Sequence, residues 1–103
     1  MPQTVSDEDF HGFLVELEKI IISRKNADPE KSYTAKLLQG NINGILQKVG
    51  EESIEYILEA KSNNKERAIA EGADLFFHFL VSLQGINLSL NDILGELYKR
   101  HNK

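Results

Sequence analysis

Glu71-Gly72-Ala73-Asp74-Leu75-Phe76-Phe77-His78-Phe79-Leu80-Val81-Ser82-Leu83 is the stretch that decides the fold. From Leu75 onward it is apolar nearly all round, broken only by His78 and Ser82. A run of that kind is either a membrane span or a buried helix. Leu75 to Leu83 is less than half of the roughly 20 residues a span requires, so it reads as a buried helix. Upstream, Ile69, Ala70 and Ala73 join Phe76, Phe77, Leu80 and Val81 at helical spacing, and the helix is expected to end near Gly85.

Working outward, every neighbouring segment carries the same helical period. Ser6-Asp7-Glu8-Asp9 has the hydroxyl and third-position carboxylate of a capping box, and Phe10, Phe13, Leu14, Leu17, Ile20 and Ile21 then form one stripe. Asp28-Pro29 disfavours helix, so this first helix is expected to stop near Ser23. Ser32 opens a short helix through Leu38, with Gly40 as its expected left-handed C-cap. Ile42, Ile45, Leu46, Val49, Tyr56, Ile57 and Ala60 mark a long helix that Asn63-Asn64 terminates. Ser89 and Asp92 cap a last helix carrying Ile93, Leu94, Leu97 and Tyr98. The expected fold is all-α, an antiparallel helical bundle of four to five helices occupying residues 1–103 as one domain. A chain of 103 residues cannot cover its most apolar helix on every side, so homodimerisation is the expected remedy; a partly exposed flank is the alternative.

Composition narrows the chemistry. Twelve Lys and Arg against 16 Asp and Glu give a net charge of -4, which disfavours a surface built to track nucleic acid. With no Cys, thiolate metal sites, disulfides and cysteine nucleophiles are excluded, and the chain suits a reducing cytoplasm. The polar, acidic start lacks the basic and apolar regions of a secretory signal, and no membrane association is expected.

Acidic spacing gives the first functional lead. Glu51, Glu52 and Glu55 stand three and four apart on one helix face, and Glu71 and Asp74 repeat the spacing on the next long helix. Packed side by side, the two helices can bring these carboxylates to one point, where they repel unless a cation neutralises them. All-oxygen ligands favour Mg²⁺ or Mn²⁺, and Mg²⁺ takes further oxygens from phosphate. The competing reading is a solvated acidic face. Lys48, one turn before Glu52, meets either a substrate phosphate or a helix partner. Ser32, Tyr33, Thr34 and Lys36 can bind ribose or phosphate, although helix capping explains Ser32 equally well. A core histidine bonded to a backbone carbonyl is favoured over a ligand for His78. No Glu has His three residues on, which disfavours di-iron chemistry.

Three segments carry a family resemblance: Ser32-Tyr33-Thr34-Ala35-Lys36-Leu37-Leu38, Gln47-Lys48-Val49-Gly50-Glu51-Glu52-Ser53-Ile54-Glu55, and Glu71 through Val81. In order and spacing the chain resembles the phosphoribosyl-ATP pyrophosphatases, histidine-biosynthesis members of the all-α, MazG-like nucleotide pyrophosphohydrolases, from about Phe10 to His101. The resemblance implies Mg²⁺-dependent hydrolysis of the α–β phosphoanhydride of phosphoribosyl-ATP. It assigns metal ligation to Glu52, Glu55, Glu71 and Asp74, with Glu51 as a further site carboxylate. Glu51 or Glu55 then activates water, and Lys36, Lys48 and Arg67 meet the polyphosphate or phosphoribosyl group. Phe77 stands where the family often has Tyr, so no catalytic role falls to it. Many relatives carry a fused phosphoribosyl-AMP cyclohydrolase domain; the chain's length and lack of Cys assign that step to another protein. A housecleaning nucleoside triphosphate pyrophosphohydrolase and a non-enzymatic helical module binding a basic partner are the alternatives.

Overall fold

The computed structural model describes residues 6–102, and within them every regular element is helical. Helix α1 spans Asp7–Ser23, α2 Tyr33–Gln39, α3 Ile42–Lys61, α4 Lys65–Gly85 and α5 Leu90–His101, with a 3-10 turn at Arg24–Asn26. Capping chemistry explains the boundaries. Ser6 Oγ accepts from the Asp9 amide at 3.2 Å while Asp9 Oδ2 accepts from the Ser6 amide, and Ser89 and Asp92 repeat this box before α5. Ser32, Asn41 and Asn64 cap α2, α3 and α4 through their side-chain oxygens. The loop after α1 is tied down by Gln39, whose Nε2 donates to the carbonyls of Lys25 and Ala27 at 3.2 and 2.7 Å.

The turn residues differ from expectation. Gly40 does not adopt the left-handed conformation; its φ of -89° and ψ of -165° are extended, and its amide donates to the Leu37 carbonyl. The left-handed positions belong instead to Asn63 and Asn87, at φ 56° and 62°. Asparagine tolerates this region because its short amide bonds locally.

The three-residue connection Ser62–Asn64 folds α4 back along α3, and this hairpin is the most extensive helix pairing in the molecule. Ile45 from α3, Leu80, Val81 and Leu83 from α4, Ile21 from α1 and Leu90 from α5 form the core. Leu14, Leu17, Leu37 and Ile93 pack around it. Helix α5 departs from the expected antiparallel arrangement by leaving α4 at a bend of 104°. Leu90 nevertheless stays anchored, and its amide donates to Glu18 Oε2 on α1 at 2.7 Å.

Burial is concentrated at one end of the hairpin. His78 and Leu80 through Gln84 are buried, as the apolar run requires, whereas Ile54, Ile57, Leu58 and Ile69 at the other end are exposed. The apolar stripe of α3 therefore outruns the helices available to cover it. No single helix among the described residues is long and apolar enough to cross a membrane.

Candidate active site

The α3–α4 seam places acidic residues of both helices opposite one another. Glu52, Glu55 and Glu71 each offer a carboxylate oxygen, and these atoms lie within 4.8 Å of one another. Glu55 is exposed, while Glu52 and Glu71 are half-buried and each has one oxygen, Oε2, shielded from solvent with no hydrogen-bond partner. A shielded carboxylate oxygen without a partner is costly, because nothing replaces its lost hydration. The electrostatics follow from this crowding. A hydrogen bond with Glu55, then burial, then the Glu55 charge push the Glu71 carboxyl up to about 7. Burial first, and Glu55 second, raise Glu52.

A divalent cation fits this donor set. It would satisfy both orphaned oxygens and cancel the repulsion, and hard carboxylate ligands match Mg²⁺ or Mn²⁺. Asp74, one turn along α4 from Glu71, is not among the three converging oxygens, yet it is near enough for its charge to raise Glu52. Glu51 also lies outside the trio. Its Oε2 accepts from Gln47 Nε2 at 3.1 Å and its Oε1 sits 3.7 Å from Lys48 Nζ.

Basic side chains stand by the acidic row at both ends, Arg67 at a cleft with Glu55 and Glu71 and Lys48 beside Glu51. Arg67 lies with Glu55, Leu58, Glu59 and Glu71 around a cleft of about 330 Å³, where its Nε donates to Glu59 Oε2. Glu59 stands four beyond Glu55 and so extends the same acidic row. At the other end Tyr33, Lys36 and Lys48 line a groove of about 290 Å³ with Leu37, Gly40, Asn41 and Gly44. Lys48 pairs with Glu51, the helix-partner role open to it, and it also lines the groove. Ser32 Oγ is occupied as the acceptor for the Ala35 amide at 3.1 Å, and Thr34 is half-buried in the first turn of α2.

His78 is a core histidine, its Nδ1 2.9 Å from the Asp74 carbonyl oxygen. Its other nitrogen contacts the Tyr33 hydroxyl at 2.9 Å, a link between residues 45 apart in sequence that no local spacing foreshadows. Phe77 packs edge-on to His78 and against the core.

Comparison with known proteins matches the sequence that carries this site to a family. Residues 14–101 fit the sequence profile described as phosphoribosyl-ATP pyrophosphohydrolase. The chain is 48% identical over 91 residues to the histidine biosynthesis bifunctional protein HisIE of Photobacterium profundum, a stretch covering 88% of this chain and 44% of that one. Against the protein of the same name from Campylobacter jejuni it is 49% identical over 89 residues, 86% of this chain and 43% of the relative. The chain therefore spans less than half the length of these relatives. With the profile covering all but the first helical turns, the carboxylates of α3 and α4 and the start of α2 included, the chain belongs to the phosphoribosyl-ATP pyrophosphohydrolase family.

Proposed function

We propose that this protein hydrolyses phosphoribosyl-ATP to phosphoribosyl-AMP and pyrophosphate as a cytoplasmic enzyme of histidine biosynthesis. The observation that carries the reading is the convergence of Glu52, Glu55 and Glu71 inside the segment that matches the family. With Asp74 beside them, these residues would hold Mg²⁺, or Mn²⁺ in its place. Bound there, the ion supplies charge neutralisation to phosphate oxygens and to the departing pyrophosphate.

The side chains do the positioning. Glu55, the exposed member of the trio, orients a water for in-line attack and accepts its proton at a carboxylate oxygen. Glu51, on the same helix face, is the second carboxylate available for that task, although its pairing with Gln47 and Lys48 turns it toward the groove. Arg67 meets the polyphosphate at the cleft it shares with Glu55 and Glu71. Lys36 and Lys48, with Ser32, Tyr33 and Thr34 at the start of α2, receive the phosphoribosyl end.

The functional unit is a homodimer of this domain. The accessible area of the chain is 7906 Å², whereas a compact monomer of its mass exposes about 5,900 Å². Its radius of gyration is 15.3 Å against about 13 Å for a compact domain of this length. A surplus of that size, with Ile54, Ile57, Leu58 and Ile69 exposed, is what a second copy would cover.

The test is to incubate purified protein and Mg²⁺ with phosphoribosyl-ATP and with a panel of ordinary and non-standard nucleoside triphosphates, measuring pyrophosphate. Turnover confined to phosphoribosyl-ATP supports the proposal. Turnover of other triphosphates instead replaces it with a housecleaning role, and no turnover without metal-dependent stabilisation points to a binding module.

A further inference from the structure

Among the described residues His78, Ser82 and Gln84 are buried polar side chains to which the reaction outlined above gives no task, and His78 alone of them is ionisable. His78 is 7% exposed, sits one turn beyond Asp74, and has both ring nitrogens engaged. The Asp74 carbonyl oxygen can only accept, so Nδ1 carries the proton. In the neutral ring Nε2 is then an acceptor, and the Tyr33 hydroxyl is its donor. Tyr33 stands edge-on to the imidazole with ring centroids 5.9 Å apart.

The other end of this link lies at the surface. Tyr33 is 52% exposed, so its hydroxyl is held inside while the flank of its ring faces outward. That flank walls the groove into which Lys36 and Lys48 bring positive charge from α2 and α3. The groove adjoins the carboxylates, since Lys48 pairs with Glu51 and Glu52 follows directly in sequence. Without the hydrogen bond, a half-exposed phenol has rotamer freedom and the groove loses a fixed wall.

We propose that His78 is a positioning residue that, by accepting the hydrogen bond of Tyr33, fixes the aromatic wall of the Lys36–Lys48 groove, where a substrate phosphate other than those being separated is bound. The inference rests on the function proposed above. The geometry has a second consequence: the Tyr33–His78 contact ties the start of α2 to the helix that carries Glu71 and Asp74, while the Asp74 carbonyl fixes the imidazole within that helix.

Steady-state kinetics of the full chain with Mg²⁺ and phosphoribosyl-ATP test this through four variants. Tyr33→Phe keeps the ring and removes the hydroxyl; His78→Asn keeps a donor near Nδ1 and removes the acceptor near Nε2; His78→Gln retains an acceptor near Nε2. Tyr33→Phe and His78→Asn should each raise KM about tenfold with kcat changed by less than about twofold, and the double variant should be no worse than either. His78→Gln should restore KM toward the unmodified value. A Tyr33→Phe enzyme with unchanged KM, additive effects in the double variant, or losses in kcat that follow thermal stability would overturn the proposal. Tyr33→Phe alone decides the matter if the His78 variants fail to fold. Failure of the unmodified chain to turn over phosphoribosyl-ATP overturns the functional reading and this inference with it, whereas normal turnover with an indifferent Tyr33→Phe overturns this inference alone.

Discussion

Glu71 and Glu55 meet across the α3–α4 seam closely enough for a hydrogen bond between them to hold a proton on Glu71 up to about pH 7. The ordinary carboxyl value is 4.5, so folding favours the protonated form of this group. Its contribution to stability is complete below about 4.5 and is lost as pH rises through about 7. A cation needs the deprotonated carboxylate and therefore competes with that proton. Mg²⁺ affinity measured by titration calorimetry should rise with pH up to about 7 and level off above, with protons released to buffer on binding below that value. Thermal scans should show Mg²⁺ stabilising the chain most at the upper end of that window. An affinity flat across the window would remove the proton–metal competition.

Replacing single carboxylates separates the metal reading from a solvated acidic face. Glu55→Gln and Asp74→Asn conserve shape and remove charge, and each should lower turnover by at least about 100-fold with the helical circular dichroism unchanged. On a merely solvated face the same changes relieve repulsion and leave activity alone. Near-normal turnover in both variants would sink the site assignment.

Much of this molecule is legible in the chain because its helix boundaries are local chemistry. Ser6 with Asp9 and Ser89 with Asp92 form the capping boxes their spacing announces, and Glu52, Glu55 and Glu71 converge because helical period and hairpin packing leave little choice. What escapes is set by tertiary contact. The hydrogen bond from Tyr33 to His78 and that from the Leu90 amide to Glu18 join residues 45 and 72 apart. Gly40 is extended with its amide donating to the Leu37 carbonyl, while the left-handed turns fall to Asn63 and Asn87. The turn of α5 away from α4 likewise depends on Asn87 and on where Leu90 finds the core, which no periodicity records.

Arg67 is held by Glu59 beside the trio, so the carboxylate occupies the guanidinium that a phosphate would otherwise engage. The Arg67 side chain is 65% exposed, so solvent screens the pair and it adds little to stability. Glu59→Gln should therefore change stability little while lowering KM for the nucleotide by about threefold at low salt, as Arg67 is released to the substrate. Arg67→Ala should raise KM. If Glu59→Gln raises KM as much as Arg67→Ala, Glu59 aims the arginine rather than competing for it.

Glu18 caps α5 from another helix, its Oε2 accepting the Leu90 amide at 2.7 Å. An uncapped first-turn amide beside a buried leucine is left short of a partner. Glu18→Ala should cost about 1–2 kcal/mol in urea unfolding, and Glu18→Gln, which keeps an oxygen acceptor, less than half of that. Equal losses in the two variants would mean that charge rather than the hydrogen bond stabilises the junction.

Ile69 offers the cleanest probe of the oligomeric state. It is 75% exposed in the single chain, and a substitution at such a position ordinarily changes monomer stability by no more than about 0.5 kcal/mol. Buried between two copies, an aspartate there would instead place a charge in an apolar contact. Light scattering should give the unmodified protein twice the chain mass of 11.7 kDa, with a Tm that rises with protein concentration. Ile69→Asp should sediment as a monomer and lose the concentration dependence. A monomeric unmodified protein with a concentration-independent Tm would leave the exposed stripe of α3 and α4 uncovered and refute the dimer.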